Sequence, residues 1–399
     1  MKRILISGIL IGLFITLGSI AAILYATGYR ISLNGGSDGK IIAGTGLLVA
    51  TSRPDGARLL INNNLTTATN NTINLKPGEY DARIEKDGYL PWSKKIIIKN
   101  GLVSEANAFL FPVAPKLEAV TTIGVLNVTM DRSGSILAYA VASASASRNG
   151  IYVLDMNARN LIFLAATGTQ IVGDIQDKFS QAQELSFSPD GRELLVKLTN
   201  SVYYLLATDS RNQNPSDVTN TLLAVQRDWE QQRTELDKKI MDSMSRDLRN
   251  VALTHFKNII PSPEGDKLLY EASVSAKLPI VLRKPVPSVN STPDERNLVA
   301  GRTYIYDVRE DKNYFILDPD QIGADNRNKY LWHPDGRHLI FARSGKINIV
   351  EYDGGNLTTV YNGPFLDNLV FPWPDGSSIT IVTRLSESAP HNIYRISLQ

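Results

Sequence analysis

Two histidines that flank a tight turn are the residues of this chain whose types and spacing come nearest to chemistry. They lie in the run His333-Pro334-Asp335-Gly336-Arg337-His338. Two imidazoles can bind a transition metal, but a site needs further ligands, and the sequence offers no evident third one. We therefore predict no metal site and no cofactor. The chain contains no cysteine, which excludes thiolate metal sites and cysteine nucleophiles.

Serine and carboxylate chemistry finds no better support. Ser186 and Ser188 lack the flanking glycines of a nucleophile elbow, and the chain has no Gly-rich phosphate-binding run. Asp190, Asp335 and Asp375 occupy equivalent places in Pro-Asp-Gly turns. An Asp side chain in such a turn accepts hydrogen bonds from backbone N–H groups. We expect these aspartates to stabilise turns, and we predict that the protein is not an enzyme.

The Pro-Asp-Gly turns belong to a repeat that fills the chain from residue 115 onward. Each copy reads as a strand, a turn that ends in glycine, and an apolar strand. The last two turn glycines are 40 residues apart, which is about the length of a propeller blade, so the longer gaps require insertions. The turn glycines are Gly134, Gly191, Gly265, Gly336 and Gly376. A third strand is predicted at residues 150–155, 201–207, 302–308, 346–352 and 392–398.

This repeat closely resembles that of TolB-type and WD-repeat-like β-propellers. The resemblance implies a β-propeller over residues 115–399 with about five blades. A degenerate sixth blade around residues 163–181 stays open as an alternative. We expect residues 116–122 to pair with the last blade and so to close the ring.

Residues 217–252 are predicted to form a helical insertion, because apolar residues recur there every three or four positions. A break is expected near Ser243-Met244-Ser245, since about 30 helical residues would reach about 45 Å if straight. Two interpretations are open: the apolar stripe packs on the flank of the propeller, or the insertion is an arm that binds a partner protein. The candidate partner-binding residues are Trp229, Leu236, Ile240 and Met244.

A second insertion, residues 275–301, is rich in proline and has few periodic apolar residues. This composition predicts a long loop that is partly extended. Long loops without structure of their own are often functional. The prolines are Pro279, Pro285, Pro287 and Pro293.

Residues 47–112 read as a small β domain. Tyr80, Ala82 and Ile84 alternate with charged residues, as in a half-buried strand. Further strands are predicted at residues 47–51, 57–61 and 96–99, and turn residues separate them. Three motifs stand in order along this segment. They are Ser52-Arg53-Pro54-Asp55-Gly56-Ala57, Leu75-Lys76-Pro77-Gly78-Glu79-Tyr80 and Lys86-Asp87-Gly88-Tyr89-Leu90-Pro91-Trp92.

The three motifs strongly resemble those of the PEGA domain, whose name-giving tetrapeptide stands here as Pro54-Asp55-Gly56-Ala57. The resemblance implies a small β-sandwich of the cell envelope without catalytic residues. The segment of residues 62–72 departs from the family pattern, so we expect a locally different loop on the same fold. Tyr89 and Trp92 either cover the sandwich core or form a glycan-stacking platform.

The amino-terminal segment is predicted to anchor the chain in a membrane. Residues 4–26 carry no charge and follow Lys2 and Arg3. As a helix they would span roughly 34 Å, enough to cross a hydrocarbon core of about 30 Å. The basic flank favours a cytoplasmic amino terminus, with the rest of the chain outside. A cleaved signal peptide is the alternative, although its apolar region is usually shorter. Residues 1–30 are thus assigned to the anchor and residues 31–46 to a flexible linker.

The function predicted from these features is binding. The chain carries 42 basic and 40 acidic residues, a balance that gives no electrostatic case for nucleic acid. An all-β protein with a single transmembrane helix, a PEGA-type sandwich and a propeller is expected to be a non-enzymatic envelope scaffold. Its expected partners are the bilayer, through residues 4–26, and an envelope protein or surface polysaccharide. The alternatives are an envelope glycan hydrolase that uses paired carboxylates in the propeller channel, and a structural spacer without a ligand.

Overall fold

The chain divides into two compact units in the computed structural model. The first comprises Met1–Phe111 with Lys284–Pro293, and the second comprises Pro112–Arg283 with Asp294–Gln399. The structure describes residues 11–20, 22–23, 29–31, 42–142, 145–157, 168–174, 178–199, 201–282, 289–317, 330–366 and 369–399.

The predicted anchor lies partly outside these ranges. Residues 11–20 and 22–23 are helical, and the remaining residues of the 4–26 segment are not among those described. In the part of the chain that the structure describes, no helix is both long and apolar enough to cross a bilayer. Both ends of the predicted linker are in strands, because Tyr29–Ile31 pairs antiparallel with Ile42–Gly44.

The rest of the first unit is built from two facing sheets. Gly46–Arg53 is the central strand of a three-stranded sheet and pairs parallel with Val103–Phe109. The first sheet consists of Asn71–Leu75, Gly46–Arg53 and Val103–Phe109, in that order. The second sheet consists of Asn64–Ala68, Arg58–Ile61, Gly78–Glu85 and Trp92–Ile98.

One core lies between these two sheets, as a β-sandwich requires. Leu48 of the first sheet and Leu59, Ile84 and Ile96 of the second are fully buried in it. In Gly78–Glu85 the side chains of Ala82 and Ile84 are buried, while that of Arg83 between them is exposed, which is the predicted alternation. The predicted loop at residues 62–72 contains the edge strand Asn64–Ala68, so its local difference is a hairpin.

The described residues of the second unit form five antiparallel sheets of four strands each. In chain order, sheet one holds Leu126–Met130, Ile136–Val141, Gly150–Asp155 and Thr169–Gly173, and sheet two holds Glu184–Phe187, Glu193–Lys197, Tyr203–Ala207 and Ser216–Asp217. Sheet three holds Phe256–Pro261, Lys267–Ala272, Thr303–Asp307 and Lys312–Leu317, and sheet four holds Leu331–Trp332, His338–Arg343, Lys346–Glu351 and Thr358–Asn362. Sheet five holds Val370–Pro372, Ser378–Thr383, Asn392–Ser397 and, from the start of the unit, Leu117–Ala119.

Neighbouring sheets share apolar cores. One core joins sheets one and two, another joins sheets three and four, and a third joins sheet one to sheet five. Leu117–Ala119 pairs with Asn392–Ser397, which confirms the expected closing strand. The described part of residues 163–181 supplies the last strand of sheet one and a short 3-10 turn, and the remainder lies outside the described residues. The five sheets are therefore propeller-like blades.

The helical insertion folds as predicted, with a break at the predicted place. A long helix, Leu222–Ser243, is followed by a short helix, Arg246–His255. Met244 leaves helical geometry at the junction, and the Ser245 hydroxyl caps the short helix by accepting a hydrogen bond from the Leu248 N–H.

All five turn glycines have a positive φ, between 63° and 75°. Only glycine adopts this conformation without strain, so the repeat fixes glycine at these places. The five sites differ in the space around them. A methyl group at Gly134 would meet no atom within 4 Å, whereas one at Gly376 would lie 2.9 Å from His333 Cε1.

We predict that Gly376→Ala lowers the melting temperature more than Gly134→Ala. Both variants suffer the backbone strain of about 1 kcal/mol, but only Gly376→Ala also displaces a packed ring. Thermal unfolding followed by circular dichroism measures the difference. Equal melting temperatures for the two variants would show that the ring contact at Gly376 is absent.

Candidate functional site

The repeat turns of successive sheets touch one another. The Cα of Gly191 in sheet two faces Asp131 in the turn of sheet one, and Gly336 in sheet four faces Ser262 of sheet three. His333 in sheet four donates a hydrogen bond from Nε2 to the carbonyl oxygen of Gly376 in sheet five, at 2.9 Å. These turns therefore lie at a common end of the sheets, which we call the turn end.

The predicted turn role of the aspartates is confirmed. The side chains of Asp190, Asp335 and Asp375 each accept a hydrogen bond from the backbone N–H two residues later, at 3.1, 2.8 and 2.8 Å. Such bonds satisfy donors that the tight turn leaves without a backbone partner. Each of these three carboxylates therefore has a structural task at the turn end.

His333, Asp335 and His338 form a buried cluster that the sequence did not reveal. Asp335 Oδ2 lies 2.7 Å from His338 Nδ1, and Asp335 Oδ1 lies 3.1 Å from His333 Nδ1. In the part of the chain that the structure describes, this is the group of side chains that could hold a metal ion. Asp335 Oδ2 already bonds His338 Nδ1, however, His333 Nδ1 accepts a hydrogen bond from the Asp335 N–H, and His333 Nε2 bonds a carbonyl. We interpret the cluster as structural.

The charges of this cluster stabilise one another. Burial on its own lowers the pKa of His338, but the charges of Asp335 and Glu351 together with the Asp335 hydrogen bond raise it above 6.5. Burial on its own raises the pKa of Asp335, but the charge of His338 and hydrogen bonds from both histidines lower it far below 3.8. The charged pair of Asp335 and His338 is thus the favoured state in the folded protein.

A cleft at the turn end is the second place where polar groups converge. It encloses about 400 Å³ between the long helix and the first strand of sheet three, a volume within the usual range of ligand sites. Four of its side chains are aliphatic or methionine, and three are basic. It is lined by Arg132, Arg233, Asp237, Ile240, Met241, Lys257, Asn258, Ile259 and Ile260.

The long helix forms one wall of the cleft because its apolar stripe anchors it at both ends. Trp229 packs in a core with Leu195 of sheet two and with Val218, which follows the last strand of that sheet, and its indole Nε1 donates to Glu193 Oε2 at 3.3 Å. Farther along, Met244 is buried in the core of sheet three. Between these anchors the helix carries the cleft-lining residues.

An ion pair connects the middle of the helix to sheet one. Arg132, in the repeat turn of that sheet, lies with Nη2 2.8 Å from Asp237 Oδ1. The two side chains are 41% and 56% exposed, so the pair is worth at most about 1 kcal/mol. The pair positions the helix, and a charged group of a ligand can replace either partner with little loss of free energy.

A β-bulge forms the opposite wall. In the strand Phe256–Pro261, Asn258 and Ile259 together oppose the single residue Tyr270, and Asn258 has a φ of +54°. A bulge bends the strand and turns side chains to new directions, and bulges are common beside active sites. Ile260 is 47% exposed as a result. The cleft therefore contains an apolar side chain that the sheet does not bury.

The same bulge occurs once more, in sheet one. There Asn127, with a φ of +49°, and Val128 oppose Tyr139. Asn127 and Asn258 each stand seven residues before a turn glycine. This spacing is the sequence signal for the bulge, which the alternation of apolar and polar residues in the strands does not show.

Of the predicted partner-binding residues, one lines the cleft. Ile240 does so, Leu236 is half-buried, and Trp229 and Met244 are buried at 7% and 9% exposure. The apolar stripe thus packs on the sheets, as the first of the two interpretations requires. Partner binding by these four residues stays a prediction, and the buried pair offers no surface for it.

The candidate glycan-stacking residues lie in the first unit. Trp92 is 3% exposed and part of the sandwich core, so its ring face is not open to a sugar. Tyr89 is half-buried and packs against the same core. Both residues therefore cover the sandwich core, which is the first of the two roles expected from the sequence. Glycan binding by Tyr89 stays a prediction.

Residues 45–112 match the PEGA domain family. No curated protein matches the sequence. Solved structures that match include the putative TolB from Agrobacterium tumefaciens, at 15% identity over 69% of this chain and 72% of that chain, with a TM-score of 0.21. TolB from Acinetobacter baumannii matches at 16% identity over 80% of this chain and 60% of its own length, with a TM-score of 0.24. The Cps50 (Swd1) β-propeller domain of Myceliophteria thermophila matches at 12% identity over 72% of this chain and all of its own, with a TM-score of 0.28.

At these TM-scores the matches support no statement about function. The five sheets are defined by the hydrogen bonds between their own strands. The chain therefore combines a PEGA domain at residues 45–112 with propeller-like blades that match TolB and WD-repeat propellers.

The cluster of His333, Asp335 and His338 makes stability depend on pH. The raised pKa of His338 adds stability below about pH 6.5, and this contribution is lost as the pH rises through the folded value. The lowered pKa of Asp335 adds stability above about pH 3.9, and this contribution is lost as the pH falls. The pair therefore stabilises most between about pH 4 and pH 6.5.

We predict that His338→Asn melts below the parent protein by a margin that is widest near pH 5.5 and narrows towards pH 9. Melting temperatures of both proteins across this range measure the margin. A margin that stays constant with pH would show that His338 carries no charge in the folded protein.

Proposed function

We propose that this protein is a non-enzymatic binding module of the cell envelope. Its amino-terminal segment holds it in the cytoplasmic membrane, and its PEGA domain and propeller lie outside. The cleft at the turn end is the observation that carries the proposal. It combines a concave surface, exposed apolar side chains and basic groups, which is the composition of a recognition site.

The lining of the cleft supports binding over catalysis. A glycosidase needs two carboxyl groups on either side of the scissile bond, and Asp237 is the one carboxylate among the described residues that line the cleft. That carboxylate is engaged with Arg132. The lining also offers no histidine or serine that would act as base or nucleophile.

The location outside the membrane rests on the sequence. The uncharged residues 4–26 follow two basic residues, and this order favours a cytoplasmic amino terminus. The PEGA domain supports the envelope assignment through the resemblance of its motifs. The expected partner is a protein or a polysaccharide of the envelope, because these are the molecules that an exposed propeller meets.

A photo-crosslinking amino acid placed at position 258 tests the proposal in the cells that make the protein. We expect irradiation to give a discrete adduct with an envelope component. The matched control is position 239, an exposed lysine on the long helix that does not line the cleft. No adduct at position 258, or equal adducts at both positions, would contradict a binding site in the cleft and favour a spacer.

Protease treatment of intact cells tests the location. We expect cleavage in residues 47–399 while the amino terminus stays protected. Protection of the carboxyl-terminal units together with loss of the amino terminus would reverse the proposed orientation.

A further inference from the structure

We infer that the cleft binds an extended, acidic peptide segment of a partner protein. The inference rests on the proposed function and names the chemistry of its ligand. Three independent features of the cleft carry it: the charge of its lining, the open edge of its strand, and the pattern of its apolar side chains.

The charge of the lining favours carboxylates. Arg132, Arg233 and Lys257 line the cleft, against Asp237 as the one acidic lining residue. The acidic partners of Arg233 and Lys257 are Glu230 and Glu271, each at 2.8 Å, and neither of these glutamates lines the cleft. Arginine presents parallel N–H groups that match a carboxylate, so a glutamate of the ligand can bond Arg132 or Arg233 with two hydrogen bonds.

The present partners of these cations do not prevent such bonding. The basic side chains of the three pairs are 41%, 55% and 49% exposed. Ion pairs at this exposure contribute little to stability, so exchanging them for ligand carboxylates costs little. An arginine also has more donors than one carboxylate uses, which lets the existing partner remain.

The strand in the cleft offers a backbone edge at its bulge, whereas farther along the Ile260 carbonyl oxygen already accepts a hydrogen bond from Trp332 Nε1 at 3.1 Å. Phe256–Pro261 is the first strand of sheet three, and its one strand neighbour among the described residues is Lys267–Ala272. At the bulge, Asn258 and Ile259 share a single opposite residue, so the ladder is interrupted there. An extended peptide can add to such an edge through main-chain hydrogen bonds. A folded domain could not enter a space of about 400 Å³.

The apolar lining sets the side-chain pattern. Ile240 and Met241 lie on the helix wall, and Ile259 and Ile260 lie on the strand wall. Successive side chains of an extended peptide point to opposite sides. A ligand that carries both aliphatic and acidic residues can place the aliphatic ones against these residues and the acidic ones on the cations. No aromatic side chain is among the lining residues described, so the cleft gives no stacking platform for bases or sugar rings.

Fluorescence anisotropy with the full chain in detergent tests the inference. The probe is a fluorescein-labelled ten-residue peptide of alternating Glu and Val, and the comparison peptide alternates Gln and Val. We expect the Glu peptide to bind about tenfold or more tightly than the Gln peptide, and to lose this advantage as salt rises from about 0.05 to about 0.5 M.

Two variants locate the binding in the cleft. Lys257→Glu and Arg233→Glu are each expected to weaken binding of the Glu peptide about tenfold, because each reverses a charge in the lining. Lys239→Glu makes the same change of charge on the same helix outside the cleft, and we expect it to leave binding within about twofold of the parent. Arg233 is exposed, so its variant is expected to fold even if Lys257→Glu is destabilised beside Glu271.

Two results would overturn the inference: equal binding of the Glu and Gln peptides, or equal weakening by Lys239→Glu and the cleft variants. An envelope adduct at position 258 together with either result would keep the binding function and reject the acidic peptide. No adduct and no peptide binding would reject both.

Discussion

The second unit depends on the pairing of its first strand with its last. Leu117–Ala119 joins Asn392–Ser397 in sheet five, across more than 270 residues of chain. The junction is reinforced where the Thr121 hydroxyl accepts a hydrogen bond from the Ile393 N–H at 2.9 Å. Sheets one and five share a core that contains Tyr139 and Trp373, and without closure this core would face water. The pairing thus gives sheet one an apolar core on both sides, one shared with sheet two and one shared with sheet five.

This closure holds the turn end in place, and the cleft depends on it. The cleft takes its lining from the turn of sheet one, from the helical insertion and from the edge strand of sheet three. None of these elements forms a site by itself. The helix is fixed by Trp229 on sheet two and by Met244 on sheet three, so it spans from one sheet to the next. Its position over the edge strand follows from apolar burial, and its polar face remains in solvent.

Much of the fold could be predicted because the chemistry that specifies it is local. A turn position with a positive φ favours glycine whatever surrounds it, so Gly191 and Gly336 mark hairpins directly in the sequence. The stripe of the long helix and its break at Met244 are likewise local patterns. The cluster of His333, Asp335 and His338 was not predicted, because whether a turn aspartate also forms strong hydrogen bonds with histidines depends on how deeply the fold buries the turn.

The cleft could not be predicted, since its residues are distant in the sequence. Arg132 and Lys257 are 125 positions apart and meet only through the order of the sheets. What covers the apolar stripe of the helix was left open, because such a stripe fits equally a sheet of the same chain and a partner. The bulge at Asn258 stands at a fixed distance before a turn glycine. This spacing is recognisable as a signal only when the bulge at Asn127, which stands at the same distance, is known as well.

We propose that the bulged strand and the long helix together form a recognition site. Hydrogen–deuterium exchange of the full chain, with and without the alternating Glu and Val peptide, tests it most directly. We expect exchange to slow at Asn258 and Ile259, where the hydrogen-bond ladder of the sheet is interrupted, and to stay unchanged in the PEGA sheets. Unchanged exchange at the bulge, with protection elsewhere, would contradict it.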